Sequence, residues 1–333
     1  MKYILLLYLI TSVIHAQENR FIFPKQTDDL IDTASEAHYI SINNNVQNIQ
    51  NKLFVFLPGT SAKPSNYKVI TEYAASKGFN SICLNYPNYD AVNSICADKD
   101  LDCYELIRAE TLEGIDRTNL VNVNKPNSIE NRLIKLLLYL NSKFPKENWG
   151  KYLNSDNSIK WECIIISGHS QGGGYAGYIC KVHKVYRSIM FSAMDYNKKI
   201  GKPANWINKP GETGANDIYS FSHSKDELVE FNILTTKIVQ GYGIDKLGNP
   251  INFEITSATD FFNTRILYTS LDINGTSPTK YHGSVVSDVS TPKYDTGEFV
   301  YKRAWDYLLT NNKVSEIYDV KNGQTNKMLL SKY

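Results

Sequence analysis

The stretch Cys163–Val185, CIIISGHSQGGGYAGYICKVHKV, constrains this chain more than any other. An apolar run ends at Ser167, and a glycine-laden turn leads into a segment with helical character. A strand, a sharp glycine turn and a helix in that order serve two different chemistries. Gly168-His169-Ser170-Gln171-Gly172 fits G-x-S-x-G, a turn that holds a serine oxygen clear of the backbone. Gly172, Gly174 and Gly177 fit G-x-G-x-x-G, a turn that cradles a pyrophosphate, with Asp195 further on where a ribose-binding acid belongs. The two differ in where the first glycine must stand. A dinucleotide turn needs it at the end of the strand, so that the helix N-terminus aims at the phosphates. Gly172 falls later, inside the helix, where its open side faces neighbouring backbone. The serine reading is preferred, and a dinucleotide-binding protein using Gly172, Gly174 and Gly177 is kept as the lesser alternative.

Short apolar runs alternate with helix-period segments along the rest of the chain. HYISI, KLFVFLPG, NSICLNYP, WECIIISG, RSIMFSA, DIYSFSHS and RILYTS read as strands. NSIENRLIKLLLYLNSKFP reads as a helix, because Ile129, Leu133, Leu136, Leu137 and Leu140 fall on one stripe. PSNYKVITEYAASKG has Pro at its start and Gly at its end, which are helix boundaries. This alternation predicts an α/β fold, a mostly parallel central sheet with helices on both faces. The 333 residues can bury a large core, and a single domain over 17–333 is expected. A formal net charge of +2 gives no reason to expect nucleic acid or an acidic membrane as partner.

MKYILLLYLITSVIHA carries one early positive charge at Lys2, continues as an apolar core and ends in a small residue before the polar QENR. It predicts a signal peptide over 1–16, cleaved after Ala16, and hence a secreted or periplasmic protein without stable membrane insertion. Cysteines in an oxidising compartment pair readily. Cys96 and Cys103 flank the polar ADKDLD and are the expected bridge. Cys83, Cys163 and Cys180 sit in apolar surroundings and read as buried free thiols. No C-x-x-C pair or Cys/His cluster suggests a metal.

A nucleophilic Ser170 needs a base and an acid to orient it, in the chain order Ser, Asp or Glu, His. Asp226 follows the strand in IYSFSHSKDELV, and His282 lies in a polar loop after the strand of RILYTS. Asp195, after RSIMFSAM, is the alternative acid. His183 and His223 read as structural, and His169 as a residue packed beside the serine. The oxyanion needs two N–H donors. Gln171, directly after the nucleophile, supplies one, and Thr60, in the turn that ends KLFVFLPGT, is the candidate for the other.

The chain resembles the α/β-hydrolase superfamily over roughly Leu53 to Leu309, through FVFLPGT, ISGHSQGGG, SHSKDELV and YHGSVVSD. The resemblance implies an esterase, lipase or related acyl hydrolase that works without a cofactor on a small-molecule ester or acyl substrate. It also implies that insertions near 86–127 and 194–217 cap the site, with Tyr86, Tyr89 and Trp206 as candidates to line it. Arg108 or Glu110 would anchor the first insertion by ion pairing. The HGGG run of some lipases is absent, which leaves the second oxyanion donor open. A non-catalytic binding protein on the same fold is the main competing reading.

Overall fold

The computed structural model describes residues 17–47 and 49–311, with two short strands beyond, Ile317–Asp319 and Asn326–Met328. The predicted signal segment, 1–16, lies outside the described residues.

Nine strands form one sheet: β1 (Glu18–Ile22), β2 (His38–Ile42), β3 (Leu53–Leu57), β4 (Asn80–Cys83), β5 (Ile164–His169), β6 (Arg187–Phe191), β7 (Ile218–His223), β8 (Ile251–Asn252) and β9 (Ile266–Thr269). Their spatial order is β1-β2-β4-β3-β5-β6-β7-β9-β8. Only β2 runs against its neighbours; every other pairing from β4 to β8 is parallel. With helices on both faces, this is the mostly parallel α/β sheet that the sequence predicts. All seven strands read from the sequence are present.

Alternation along the central strands builds two separate cores. Leu53, Val55 and Leu57 of β3 join Ile164 and Ile166 of β5 on one face. Phe54 and Phe56 join Ile165 and Ile189 on the other. The first face is covered by the helix Ile129–Lys143, whose stripe of Ile129, Leu133, Leu136, Leu137 and Leu140 is fully buried, and by Gln171–Val182. Lys68–Ser76 and Lys302–Thr310 cover the second, through residues such as Ile70, Ala74, Trp305 and Leu308. Each large apolar side chain buried this way contributes about 1.5–3 kcal/mol. Ser128 fixes where Ile129–Lys143 begins, its hydroxyl accepting from Asn131 N–H at 3.2 Å.

The segment 86–127, read from the sequence only as an insertion, has structure of its own. It holds a helix, Cys103–Glu113, closed by Gly114 in the left-handed conformation. Its apolar period is hidden because Arg108, Glu110 and Thr111 lie on the buried side beside Tyr104, Ile107 and Leu112.

Because the strands from β5 to β9 are parallel, their carboxyl ends share one rim of the sheet. Residues just beyond those ends meet there whatever their separation in sequence.

Candidate active site

Ser170 stands between β5 and the helix Gln171–Val182 with φ 55° and ψ −118°, a conformation that costs an ordinary residue about 1–3 kcal/mol. The surroundings enforce it. Ser170 N–H donates to Phe191 O at 2.8 Å, and Gly174 N–H donates back to Ser170 O at 2.9 Å. A Cβ at Gly168 would lie 2.3 Å from the carbonyl of Gly172, and one at Gly172 would lie 1.9 Å from Leu57 O. Both positions therefore require glycine, and the serine side chain is lifted clear of the turn.

The same packing rules out a pyrophosphate. At Gly174 a Cβ would meet Arg108 Nη2 at 2.1 Å, and at Gly177 it would meet Tyr242 Oη at 2.2 Å. The space beside all three glycines of the G-x-G-x-x-G pattern is filled by protein. The dinucleotide reading is thereby corrected.

Asp226 and His282 come together. His282 Nδ1 lies 2.8 and 3.0 Å from the two carboxylate oxygens, with the side chains 5% and 1% exposed. Asp226 also accepts from Leu228 N–H at 2.9 Å and Val229 N–H at 3.3 Å. Burial pushes its carboxyl up. The His282 hydrogen bond and charge, with those two N–H groups, outweigh burial and hold it below the usual carboxylate range. The carboxylate fixes the imidazole proton on Nδ1, which leaves Nε2 as the acceptor. That Nε2 is buried and has no hydrogen-bond partner. His282 itself lies on a short helix, Lys280–Ser284, rather than in a loop.

Ser170 and His282 both line a cavity of about 390 Å³. Gly59, Thr60 and Gln171 share its wall, with Ala91, Val92 and Asn93 from the first insertion and Met194 from the second. A larger open groove of about 900 Å³, bounded by Asp272, Lys293 and Tyr294 among others, contains none of these residues. The Gln171 side chain ties the walls together. Its Oε1 accepts from the Thr60 hydroxyl at 2.9 Å and from Val92 N–H at 3.2 Å. The Gln171 backbone N–H is at the first turn of its helix, where it has no intrahelical acceptor.

Asp195 is not placed to orient His282. Its two oxygens take Arg108 Nε at 2.6 Å and Nη2 at 2.5 Å, and both side chains are 1% exposed. Arg108 Nη1 then donates to Gln171 O at 3.0 Å. Arg108 thus anchors the first insertion by ion pairing. Glu110 anchors it differently, accepting from the N–H groups of Arg117, Thr118 and Val123 at 3.0–3.1 Å.

Tyr86 and Trp206 are also corrected, because neither lines the cavity. Tyr86 is fully buried, donates to Pro58 O at 2.8 Å and packs edge-on against Tyr175. Trp206 is buried between Tyr178 and Tyr242. Tyr89 is 59% exposed and outside the lining. Cys96 and Cys103 are bridged, as their spacing suggested; Cys83 and Cys180 are buried thiols, and Cys163 is half-buried.

No protein-family model matches the chain, and no curated protein matches it either. Among solved structures, it is similar to esterase 2 of Thermogutta terrifontis with bound butyrate at 12% identity and a TM-score of 0.40, covering 76% of this chain and 82% of that one. It is also similar to S-formylglutathione hydrolase of Staphylococcus aureus at 14% identity and a TM-score of 0.29, covering 56% of this chain and 60% of that one. Likenesses this distant assign no activity to the chain.

Proposed function

We propose that the protein is an exported serine hydrolase that cleaves small, uncharged carboxylic esters through Ser170, His282 and Asp226. One observation carries the reading: a strained serine and an imidazole with its proton fixed on Nδ1 open on the same cavity.

In this reading Ser170 Oγ attacks the ester carbonyl carbon while His282 Nε2 takes its proton. The carbonyl π pair moves onto oxygen, and the N–H groups of Gln171 and Thr60 receive that oxyanion. Each such donor is worth about 2.7–4 kcal/mol of barrier. The tetrahedral intermediate collapses, the C–O bond to the alcohol breaks, and His282 protonates the departing oxygen. Water then enters, gives a proton to His282 and attacks the acyl-serine. Collapse releases the acid and returns the proton to Ser170. Asp226 stabilises the imidazolium in both halves.

The substrate class follows from the wall. Its residues are mostly small or neutral, and the single cation, Arg108, is already matched by Asp195. A charged acyl group would find no unmatched counter-charge there. Export is supported by the N-terminal pattern ending at Ala16, and the Cys96–Cys103 bridge suits an oxidising compartment.

The test is turnover of a graded ester panel by the protein and by Ser170→Ala. The proposal expects the fastest turnover for short neutral acyl groups and its loss in the variant. Equal turnover by both proteins would place the nucleophile elsewhere, and no turnover by either would favour a binding protein.

A further inference from the structure

Glu227 and His169, both outside the proposed triad, hold the two ends of the His282 peptide, with a longer contact at 3.5 Å from the Ser192 hydroxyl to the same carbonyl. Glu227, next to Asp226, accepts from Tyr281 N–H through Oε1 at 3.0 Å and from His282 N–H through Oε2 at 2.8 Å. The His282 carbonyl is met by His169 Nε2 at 2.9 Å. A carbonyl can only accept, so His169 carries its proton on Nε2 and its Nδ1 must accept. The Tyr67 hydroxyl donates there at 2.9 Å and in turn accepts from Gly59 N–H at 3.3 Å. Burial and the facing His282 push the His169 imidazole down to about 3, so it stays neutral and keeps this tautomer.

The carrier of His282 is a short helix, Lys280–Ser284, that has no N-cap side-chain bond of its own. Asp226 grips the imidazole at Nδ1 and His169 packs against its ring at 4.8 Å between centroids, but neither contact fixes the backbone that carries the side chain. Fixing the N–H and the C=O of the same residue holds the Cα from which the gripped ring projects, and so helps set where Nε2 lies. The chain of bonds also runs on through Tyr67 to Gly59, beside the candidate oxyanion donor Thr60.

We propose that Glu227 and His169 are positioning residues that clamp the His282 peptide, and that Tyr67 sets the tautomer His169 needs for this. The inference rests on the assignment of His282 as the base. Glu227 is an exposed residue, so its replacement opens no cavity. Small misplacements of a catalytic group cost up to about 100-fold in rate. Glu227→Ala should therefore lower kcat, counted per fluorophosphonate-labelled site, about 10- to 100-fold, with KM within about twofold. Glu227→Gln keeps one carbonyl acceptor and should recover part of the loss. Tyr67→Phe removes the donor to His169 Nδ1 at nearly constant volume and should lower kcat in the same sense.

The low-field Nδ1–H resonance of His282 gives a readout that does not need turnover. It should shift or broaden in Glu227→Ala while the melting temperature stays near that of the parent. An unchanged resonance together with a kcat per labelled site within about twofold of the parent would overturn the clamp. A parent that shows the resonance, and loses it in the variant, but turns over no ester would keep the clamp and sink the hydrolase reading.

Discussion

Asp195 and Asp226 are both buried carboxylates just beyond strand ends, yet the same substitution should damage the protein in opposite ways. In Asp195→Asn the Arg108 guanidinium keeps its charge and loses its counter-charge at a site 1% exposed. It cannot swing out, because Gly174 packs against Nη2 so closely that a Cβ there would sit 2.1 Å away. Breaking a buried pair from one side costs about 3–5 kcal/mol. At about 2.1 cal/mol/K per residue, a body of about 300 residues moves its melting temperature by about 1.6 °C per kcal/mol, so a fall of about 5–8 °C is expected. Turnover of neutral esters per folded site should change less, since Arg108, although it lines the cavity, bonds to the elbow only through Gln171 O. Asp226→Asn should do the reverse. An amide oxygen can still accept from Leu228 and Val229 N–H, so stability should be nearly kept. The amide no longer fixes the proton on Nδ1, and kcat should fall by about four orders of magnitude. The assay is thermal melting beside ester turnover normalised to sites titrated with a fluorophosphonate. If Asp195→Asn lost its turnover per titrated site while Asp226→Asn kept it, the assignment of the acid would be wrong.

Stability should decline in mild acid. His169 and His38 are buried with imidazoles pushed down to about 3, so each takes up a proton on unfolding at pH values between there and the ordinary range near 6.5. Their folded values are depressed, so the stability is fully present above about pH 6.5 and is lost as pH falls, by about 1.4 kcal/mol per unit for each group. Denaturant titrations at pH 7 and pH 5 should show this loss, and a flat profile would contradict the neutral, buried state of both rings. Cys96→Ser with Cys103→Ser should remove roughly 2–3 kcal/mol by the loop-entropy estimate. If the wall at Ala91–Asn93 depends on the bridge, the ratio of kcat/KM for a small ester to that for a bulky one should shift as well. An intact ratio with a lower melting temperature would make the bridge a staple only.

The sheet was legible because its central strands are buried on both faces and read as unbroken apolar runs, such as Leu53–Leu57 and Ile164–Ile166. The edges were not. β1 buries only one of its five residues and β8 has two residues, so neither leaves a pattern. The helix Cys103–Glu113 leaves no apolar pattern because its inner face carries Arg108, paired by the distant Asp195, and Glu110, which accepts from N–H groups of the loop that follows. The meeting of Asp226 with His282 followed from chain order, since parallel strands bring their ends to one rim. Choosing Asp226 over Asp195 did not follow from order alone; it took the Arg108 contact to separate them. Tyr86 and Trp206 are aromatic residues that a sequence offers as pocket lining, but aromatic side chains also fill cores, and these two do. Glu227 left only a faint signal, an acid directly after the proposed one.

The most direct test of the central claim is covalent labelling of the protein with a fluorophosphonate, followed by peptide mapping. The account predicts one phosphonyl group per molecule, on Ser170, formed faster than in Asp226→Asn and absent in Ser170→Ala. Labelling at another residue, or none in a protein that still hydrolyses esters, would contradict it.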